Sequence, residues 1–270
     1  MSTHTKANYC KAIVVIVDYL KAHRVVENVE SLIRQDNSSD IEICVVDNSC
    51  DPENNETLLR INKHKNVHLI FNSKNLGYTR ACNYAAGLFD TSYVVLVNPD
   101  ISWKDNSTLS DLISLMDAQP DIGVLGPRQI NDDGTTPNTV RAFPNFPIQV
   151  AGRTPLRLLP KIKKWVNNYE MKDFDYNKSQ YVDWFQSSFM VIRSDLWQRL
   201  GGLDTAYFLF MSDPEICFRA WSLGYKVLYT ADSVVGADGI RCSSGGFFHV
   251  FKNKSVGFRA GGNSTKIKIL

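Results

Sequence analysis

The chain has 270 residues, of which 44% are hydrophobic and 21% charged, as in an ordinary protein with a sizeable core. Its 30 basic and 28 acidic residues give a net charge of +2, which argues against nucleic-acid binding driven by bulk charge. No apolar stretch approaches the roughly 18 residues that span a bilayer. The polar start, Met1 to Lys11, lacks the apolar core of a signal peptide. The six cysteines are scattered without a Cys-x-x-Cys pair, so we expect a cytoplasmic protein without disulfides or structural zinc.

Strands and helices alternate in the first half of the chain. Unbroken apolar runs predict buried strands, and apolar residues at helical spacing predict helices. The predicted strands are 12–17, 41–46, 67–71 and 93–97, and the predicted helices are 25–34, 52–62, 79–89 and 107–118. Such alternation with short connections predicts a parallel sheet with right-handed crossovers and helices on both faces.

The second half is less regular. From about 131 to 177 the periodicity is lost around five prolines and a basic segment, Arg153 to Lys164. A long irregular region inside a compact domain is usually functional or mobile. Beyond it the sequence predicts strands at 181–192 and 225–229, helices at 195–200 and 213–223, and a flexible tail from Lys252.

The sequence Asn98-Pro99-Asp100 directly follows an uncharged run of β-branched and aromatic residues, Tyr93 to Val97. Such a run is typical of a strand buried on both faces, and ligands of parallel sheets bind beyond the carboxyl ends of the strands. A carboxylate at that place is suited to hold a divalent cation against a diphosphate. The alternative is a turn that only caps the helix at 107–118.

Polar residues also follow the first two predicted strands, which end in Asp18-Tyr19 and in Asp47-Asn48-Ser49. Asp47 could accept a hydrogen bond from the ring N–H of a pyrimidine base, with Tyr19 stacking beside it. The alternative is that Asp47-Asn48-Ser49 only caps the helix that starts near Pro52.

Gly77 permits a tight loop before the third predicted helix, whose N-terminus faces the same edge of the sheet, where anions bind well. Arg80 lies in the first turn of that helix, where the helix dipole disfavours cations. A phosphate bound nearby would offset that penalty, so Arg80 favours a diphosphate ligand at this edge.

The segment 208–219 combines an aromatic cluster with a helix start. Ser212 or Asp213 can be the helix N-cap. Glu215 and Arg219 are spaced as an i,i+4 pair. One interpretation is a well-capped helix with a surface ion pair. The other makes Asp213 a general base, because base catalysis on a hydroxyl needs an ionised carboxylate within hydrogen-bond reach.

The order and spacing of these motifs resemble the inverting family 2 glycosyltransferases with the GT-A fold, most closely their bacterial rhamnosyltransferase-like branch. The similarity extends from about Ala12 to His249 and rests on seven degenerate motifs: Asp18-Tyr19, Val46-Asp47-Asn48-Ser49, Asn75-x-Gly77-Tyr78, Asn98-Pro99-Asp100, Gly123-x-x-Gly126-Pro127, Gly201-Gly202-Leu203-Asp204 and Asp213-x-Glu215-x-x-x-Arg219. The resemblance implies an α/β protein with a Rossmann-like, mostly parallel sheet and helices on both faces. It implies a single domain over 1–270, with a nucleotide-sugar half at about 12–130, an acceptor-binding and catalytic half at about 131–250, and a flexible basic tail at 251–270.

The resemblance also implies roles for individual residues. The family's metal-binding Asp-x-Asp motif matches Asn98 and Asp100, so Asp100 would ligate Mg²⁺ or Mn²⁺ against the diphosphate. His249 matches a further metal ligand, with a structural histidine packed by aromatic residues as the alternative. Asp47 matches the residue that pairs with the pyrimidine ring. The other implied nucleotide-sugar contacts are Asp18, Tyr19, Gly77 and Arg80.

Asp213 matches the catalytic base of the family. Family members commonly have Glu-Asp-x-Asp where this chain has Ser212-Asp213-Pro214-Glu215, so the surrounding carboxylates differ. Gln186-Ser187-Ser188 likewise stands where small residues are common. The residues assigned to the acceptor or sugar pocket are Asp183, Trp184, Gln186 and Glu215.

The implied reaction is metal-dependent, inverting transfer of a sugar to a glycan or lipid-linked glycan acceptor in bacterial surface polysaccharide, such as O-antigen or capsule. L-rhamnose from dTDP-rhamnose is the first expectation for the donor, and UDP-sugars are the next.

Peripheral contact with the inner face of the cytoplasmic membrane would involve Arg153 to Lys164 and the tail. The alternatives are a catalytically inactive GT-A domain that binds nucleotide or a partner, and a nucleotidyltransferase. The latter would need a glycine-rich loop where this chain has Asp18 to His23, without glycine.

Overall fold

The structure is a computed structural model that describes residues 9–144, 147–148, 151 and 154–237, without the side chain of Arg157. The strands are β1 (Cys10–Asp18), β2 (Ile41–Asp47), β3 (Val67–Phe71), β4 (Thr91–Val97), β5 (Ile101–Trp103), β6 (Ile122–Asn131), β7 (Val140–Arg141), β8 (Gln180–Tyr181), β9 (Trp184–Phe185), β10 (Phe189–Arg193) and β11 (Lys226–Ala237). The helices are α1 (Ala22–Leu32), α2 (Pro52–Leu58), α3 (Tyr78–Ala86), α4 (Thr108–Ala118), α5 (Pro160–Tyr169), α6 (Ser194–Leu200) and α7 (Ser212–Ser222). Short 3₁₀ helices are present at Ser38–Asp40, Leu59–Ile61 and Pro155–Leu158.

Within the described residues, nine strands form one sheet in the order β3-β2-β1-β4-β10-β6-β11-β5, with β8 beside β11. Strands β1 to β4 are parallel, as the alternation of strands and helices predicts. Strand β10 then runs antiparallel to both β4 and β6. Strands β6 and β11 are parallel, whereas β5 and β8 are antiparallel to β11. The sheet is therefore parallel in its first half and mixed in its second half.

Both faces of the sheet are buried, which explains why its central strands are apolar without interruption. Along β1, Ala12, Val14 and Ile16 face a core that includes α1, α2 and α4, while Ile13 and Val15 face a core with α3, α6 and α7. This alternation follows from the two-residue repeat of a strand. Cys44 and Cys217 are free thiols within the second core, where a thiol behaves as a small hydrophobic residue.

The structure differs from the sequence prediction mainly after residue 100. The single strand predicted at 181–192 is divided into β8, β9 and β10, because polar residues interrupt its apolar pattern. Strands β5 and β6 were not predicted, and the irregular region at 131–177 contains the helix α5. No helix of the described ranges has the length and apolar character needed to cross a membrane.

The end of the parallel strands defines the edge of the sheet that matters for function. Strands β1, β2, β3 and β4 all end there, and we call it the carboxyl edge, marked by Asp18, Asp47, Phe71 and Val97. Helices α1, α2 and α3 begin at this edge because each follows a parallel strand. Strand β10 begins at the same edge, since Phe189 is the register partner of Val97.

Candidate active site

Two aspartates lie side by side where β1 and β2 end. Asp18 and Asp47 are register partners on neighbouring parallel strands, and both side chains are buried. The side-chain amide nitrogen of Asn54, on α2, donates to Asp18 Oδ2 over 2.6 Å and to Asp47 Oδ1 over 3.0 Å. Burial raises the pKa of Asp18, and the hydrogen bond from Asn54 opposes part of that shift.

One carboxylate oxygen of Asp47 is available to a ligand. Its Oδ2 atom is buried and has no hydrogen-bond partner in the part of the chain that the structure describes. The capping alternative is wrong for this residue, because Asp51 is the N-cap of α2 and accepts from the Asn54 backbone N–H over 2.9 Å. An unsatisfied buried carboxylate oxygen is costly, so an N–H group that reached Asp47 Oδ2 would be stabilised there. The Tyr19 side chain is 55% exposed at the same edge.

The Asn98-Pro99-Asp100 turn connects β4 to β5. Its first backbone N–H donates to the Ser188 carbonyl oxygen over 2.8 Å, and its first carbonyl oxygen accepts from Asn28 Nδ2 over 3.0 Å. Helix α4 begins only after β5, with Ser107 as its N-cap. The turn therefore does not cap that helix, and the alternative interpretation is wrong.

Asp100 faces a lysine from the loop that follows β1. Lys21 Nζ lies 3.6 Å from Asp100 Oδ2, and the two side chains are only 23% and 18% exposed. The backbone N–H of Lys21 donates to Asp18 Oδ1 over 2.9 Å, which fixes the loop to the end of β1. The ends of β1 and β4 are thus linked through one residue that the sequence interpretation did not select.

The donor set around Asp100 fits a cation that is shared with a phosphate ligand. Among the described residues, no three His, Cys, Asp or Glu side chains are grouped as a protein-only metal site. Mg²⁺ is commonly held by one or two carboxylates together with the phosphate oxygens of a substrate. Asp100 supplies one such carboxylate at the carboxyl edge, and Asn98, two residues before it, is the other candidate ligand of the turn.

Gly77 begins α3 in a conformation that other residues rarely adopt. It is the N-cap, with φ of +82°, and a Cβ atom there would lie 2.6 Å from the Phe208 ring and 2.8 Å from the Phe208 carbonyl oxygen. The next backbone N–H, that of Tyr78, donates to the same carbonyl oxygen over 2.8 Å. Gly77 therefore joins the start of α3 to the loop before α7. Arg80, in the first turn of α3, is exposed.

The Asp213 carboxylate accepts two hydrogen bonds, and Asp213 is not the N-cap of its helix. Met211 is the N-cap of α7, so the prediction that Ser212 or Asp213 takes this position is wrong. Asp213 Oδ2 accepts from the Ser187 backbone N–H over 3.1 Å, and Oδ1 accepts from Ser212 Oγ over 3.2 Å. Burial raises the pKa of Asp213, while the hydrogen bonds from Ser187 lower it in part. Since Ser188 contacts Asn98, two adjacent serines link Asp213 to the Asn98-Pro99-Asp100 turn.

A buried tyrosine hydroxyl stands near this carboxylate. Tyr78 Oη has no hydrogen-bond partner among the residues that are described. Burial, and then the nearby Cys82 and Asp213, raise the pKa of Tyr78 well above its usual range. The hydroxyl thus stays neutral beside the Asp213 carboxylate.

Glu215 forms the predicted i,i+4 ion pair with Arg219, but Glu215 is buried and Arg219 is only partly exposed, so this is not a surface ion pair. Glu215 Oε2 accepts from Arg219 Nη2 over 2.7 Å. The same guanidinium donates to the carbonyl oxygens of Leu200 and Gly202 over 2.7 and 2.9 Å. Burial raises the pKa of Glu215, and the hydrogen bond from Arg219 opposes that shift. Glu215 therefore has a structural partner, and its place in an acceptor pocket stays a prediction.

The other predicted acceptor-pocket residues hold the segment around β7 in place. Asp183 Oδ2 accepts from the backbone N–H of Phe143, and Trp184 Nε1 donates to the carbonyl oxygen of Ala142, each over 2.7 Å. The Gln186 backbone N–H donates to Thr139. Their contact with an acceptor stays a prediction.

Some predictions lie outside the described residues, namely His249, the tail at 251–270 and Arg153. Two residues of the site were missed in the sequence, namely Lys21 and Asn54, and the contact of Ser187 with Asp213 was not predicted. Asn54 is a common polar residue without a motif. Lys21 gave one signal, because a cation at the start of a helix opposes the helix dipole.

Comparison with known protein families gives the site its chemical context. Residues 13–198 match the family model described as Glycosyl transferase family 2, which is more than half of the chain. The chain belongs to this family. The resemblance seen in the sequence is thereby confirmed.

Curated relatives support the rhamnosyltransferase-like branch. The chain is 24% identical over 186 residues to N-acetylglucosaminyl-diphospho-decaprenol L-rhamnosyltransferase of Mycobacterium tuberculosis, covering 65% of this chain and 60% of the relative. It is 22% identical over 140 residues to the rhamnosyltransferase WbbL of Escherichia coli K12, covering 52% and 50%. The chain thus spans about half to three fifths of the length of these relatives.

Solved structures confirm the fold. The mannosyltransferase PcManGT of Pyrobaculum calidifontis, in complex with GDP-Man and Mn²⁺, aligns with a TM-score of 0.60 at 17% identity, covering 91% of this chain and 60% of that one. TarS residues 1–349 of S. aureus, in complex with UDP, aligns with a TM-score of 0.59 at 16% identity, covering 84% and 60%. The α/β GT-A fold that the sequence predicts is therefore confirmed.

Proposed function

We propose that the chain is an inverting glycosyltransferase that uses a nucleotide sugar bound at the carboxyl edge. One observation supports this most: Asp213 accepts a hydrogen bond from Ser187 without capping its helix, and the adjacent Ser188 contacts the Asn98-Pro99-Asp100 turn. Ser187 and Ser188 thus connect Asp213, the proposed base for the acceptor, to the turn that carries Asp100, the proposed carboxylate for the donor.

Asp213 would act as the general base. Its carboxylate takes the proton of the acceptor hydroxyl as that oxygen bonds to the anomeric carbon, and the bond from this carbon to the nucleoside diphosphate breaks on the opposite face. One displacement of this kind inverts the anomeric configuration and needs no covalent intermediate. The raised pKa of Asp213 makes it a better proton acceptor than an exposed aspartate.

Asp100, with Asn98, would hold a divalent cation of the Mg²⁺ or Mn²⁺ type against the diphosphate. When bound, such a cation neutralises charge that builds up on the leaving nucleoside diphosphate. The Mn²⁺ named for the PcManGT complex supports this assignment by analogy of fold. The chain's own contribution is the fixed turn that presents Asp100, since the backbone N–H and the carbonyl oxygen of Asn98 are both hydrogen-bonded.

The donor that we propose first is dTDP-L-rhamnose, with a UDP-sugar as the alternative. The rhamnosyltransferases among the relatives support the first choice, and the TarS complex with UDP supports the second. Asp47 Oδ2, which is buried without a partner among the described residues, fits the ring N–H that thymine and uracil share. Asp47 would thus select pyrimidine nucleotides without separating these two.

The acceptor that we propose is a lipid-linked glycan of bacterial surface polysaccharide, as the name of the mycobacterial relative suggests. Peripheral membrane contact would then use the region around α5. This helix exposes Lys161, Lys163 and Lys164, and next to it Leu158 and Leu159 are 78% and 53% exposed. Lysines and apolar side chains together favour an anionic membrane surface.

A panel of nucleotide sugars, scored for release of nucleoside diphosphate with and without glycan acceptors, tests the proposed function. Turnover of a pyrimidine nucleotide sugar supports it. The alternative of an inactive nucleotide-binding domain draws on the replaced residues Ser212 and Glu215. Binding of nucleoside diphosphate without turnover of any donor would favour that alternative.

A further inference from the structure

We propose that Lys21 is a donor-binding residue whose ammonium group neutralises Asp100 in the free enzyme and pairs with the diphosphate when the nucleotide sugar binds. This inference rests on the proposed function, because it names a residue that would recognise the diphosphate of the same donor. The diphosphate would thus be neutralised in part by a cationic side chain of the protein, in addition to the divalent cation.

The first argument is the position of Lys21. Its backbone N–H donates to Asp18, which lies beside Asp47 and the unpartnered Oδ2 atom of Asp47. Its ammonium group lies near Asp100, in the turn after β4. A nucleotide whose base contacts Asp47 and whose diphosphate lies against Asp100 would pass the Lys21 ammonium. The distance of 3.6 Å from Lys21 to Asp100 exceeds that of a hydrogen bond, so charge and not a fixed hydrogen bond holds the pair.

The second argument is the charge at the helix N-termini. Helices α2, α4, α6 and α7 carry acidic residues in the first turn, as the helix dipole prefers. Helix α5 carries none there, and neither do α1 and α3, which begin at the carboxyl edge together with α2. Instead Lys21 is the N-cap of α1, and Arg80 lies in the first turn of α3. A cation at a helix N-terminus opposes the helix dipole, and an anion bound beside Lys21 would offset that penalty.

The third argument concerns the charge balance on binding. A diphosphate that approached Asp100 alone would meet a carboxylate of like charge. Lys21 removes that repulsion in the free enzyme and can turn to the phosphate oxygens, since a lysine has a flexible stem and three donors. The ion pair with Asp100 therefore keeps a phosphate-binding group partly buried at the site until the donor arrives.

The experiment is calorimetric binding of dTDP and UDP to the full chain, in Mn²⁺ and separately in EDTA. Lys21→Gln should weaken binding about 10- to 100-fold in EDTA, as expected for loss of a charged hydrogen bond. Lys21→Arg, which keeps the charge, should bind within a few-fold of wild type. Lys63→Gln is the matched control, because Lys63 pairs with Glu30 over 2.8 Å just before β3, at the opposite edge of the sheet, and it should change nothing.

A structural ion pair is distinguished from a phosphate contact by Asp100→Asn. If Lys21 binds phosphate, Asp100→Asn in EDTA should bind the nucleotides at least as tightly as wild type, because a like charge is removed. Equal losses from Lys21→Gln and Asp100→Asn would overturn the inference, and so would wild-type binding that is confined to Mn²⁺. If the wild type binds nucleotide and Lys21→Gln has no effect, the inference about Lys21 is overturned and the proposed function is not. If the wild type binds neither nucleotide, in Mn²⁺ or in EDTA, the proposed function is refuted as well.

Discussion

Replacing Asp213 with asparagine removes the proton acceptor and keeps the shape of the site. The Ser187 backbone N–H and Ser212 Oγ contact the two carboxylate oxygens over 3.1 and 3.2 Å. An asparagine can accept from Ser187 through its amide oxygen and donate to Ser212 Oγ through its amide nitrogen. Both contacts persist, so the free energy of unfolding should change by less than about 1 kcal/mol.

The rate of sugar transfer should respond very differently. Loss of a general base lowers the rate by roughly 10²- to 10⁴-fold, which corresponds to an increase of about 3–5 kcal/mol in the activation barrier. Release of nucleoside diphosphate from the donor, measured at saturating donor and acceptor, reports this rate. Thermal melting and donor binding should stay close to wild type.

Asp195→Asn is the matched control for this substitution. Asp195 is the second residue of α6, as Asp213 is of α7, and its Oδ2 accepts from Tyr225 Oη over 2.7 Å. Helix α6 follows β10 at the edge opposite to the site, so this variant should transfer sugar at the wild-type rate. If Asp213→Asn is as active as Asp195→Asn, then Asp213 is not the base.

The pH dependence of the rate provides a second measurement on the same variant. Burial raises the pKa of Asp213 above its ordinary value of 3.8. The rate should therefore fall as the pH is lowered, with a midpoint above 3.8, because protonated Asp213 cannot accept a proton. The residual activity of Asp213→Asn should lack this acidic limb, and a limb that persists would assign the titration to another group.

Three further predictions address the donor, the cation and the membrane. Asp100→Ala should abolish divalent-dependent transfer with the melting temperature little changed, and full activity of this variant or of wild type in EDTA would contradict the cation role. Asp47→Ala should weaken dTDP or UDP binding by about 1–3 kcal/mol in calorimetry, and unchanged affinity would place the base elsewhere. The chain should sediment with anionic vesicles at low salt and be released by added salt; protein that stays in the supernatant would favour a soluble acceptor.

The parallel half of the fold could be predicted from the sequence because β1, β2 and β4 are buried on both faces. These strands are largely apolar runs, and helices follow β1, β2 and β3, so the layering follows directly. The insertion of β10 between β4 and β6 could not be predicted in this way. Its direction depends on pairing with distant strands, and polar residues such as Asp183 and Gln186 interrupt the run in which it lies.

The candidate site residues that directly follow a parallel strand could be predicted from the sequence. Asp18, Asp47 and Asp100 could be placed together because parallel strands share a carboxyl edge. The contacts of Lys21 and Ser187 could not be predicted, since they depend on which side chains meet across distant segments. The contacts of Asp213 also needed the structure, because only the structure shows that Met211 is the N-cap of α7 and that the Asp213 carboxylate accepts from Ser187.

A crystal structure with a nucleoside diphosphate and Mn²⁺ tests the central claim most directly, namely that the carboxyl edge binds the donor beside Asp213. We expect the base N–H at Asp47 Oδ2 and the diphosphate between Asp100 and Lys21, with open space from there to Asp213. A nucleotide bound at the opposite edge of the sheet, or a diphosphate remote from Asp100, would contradict the proposed site.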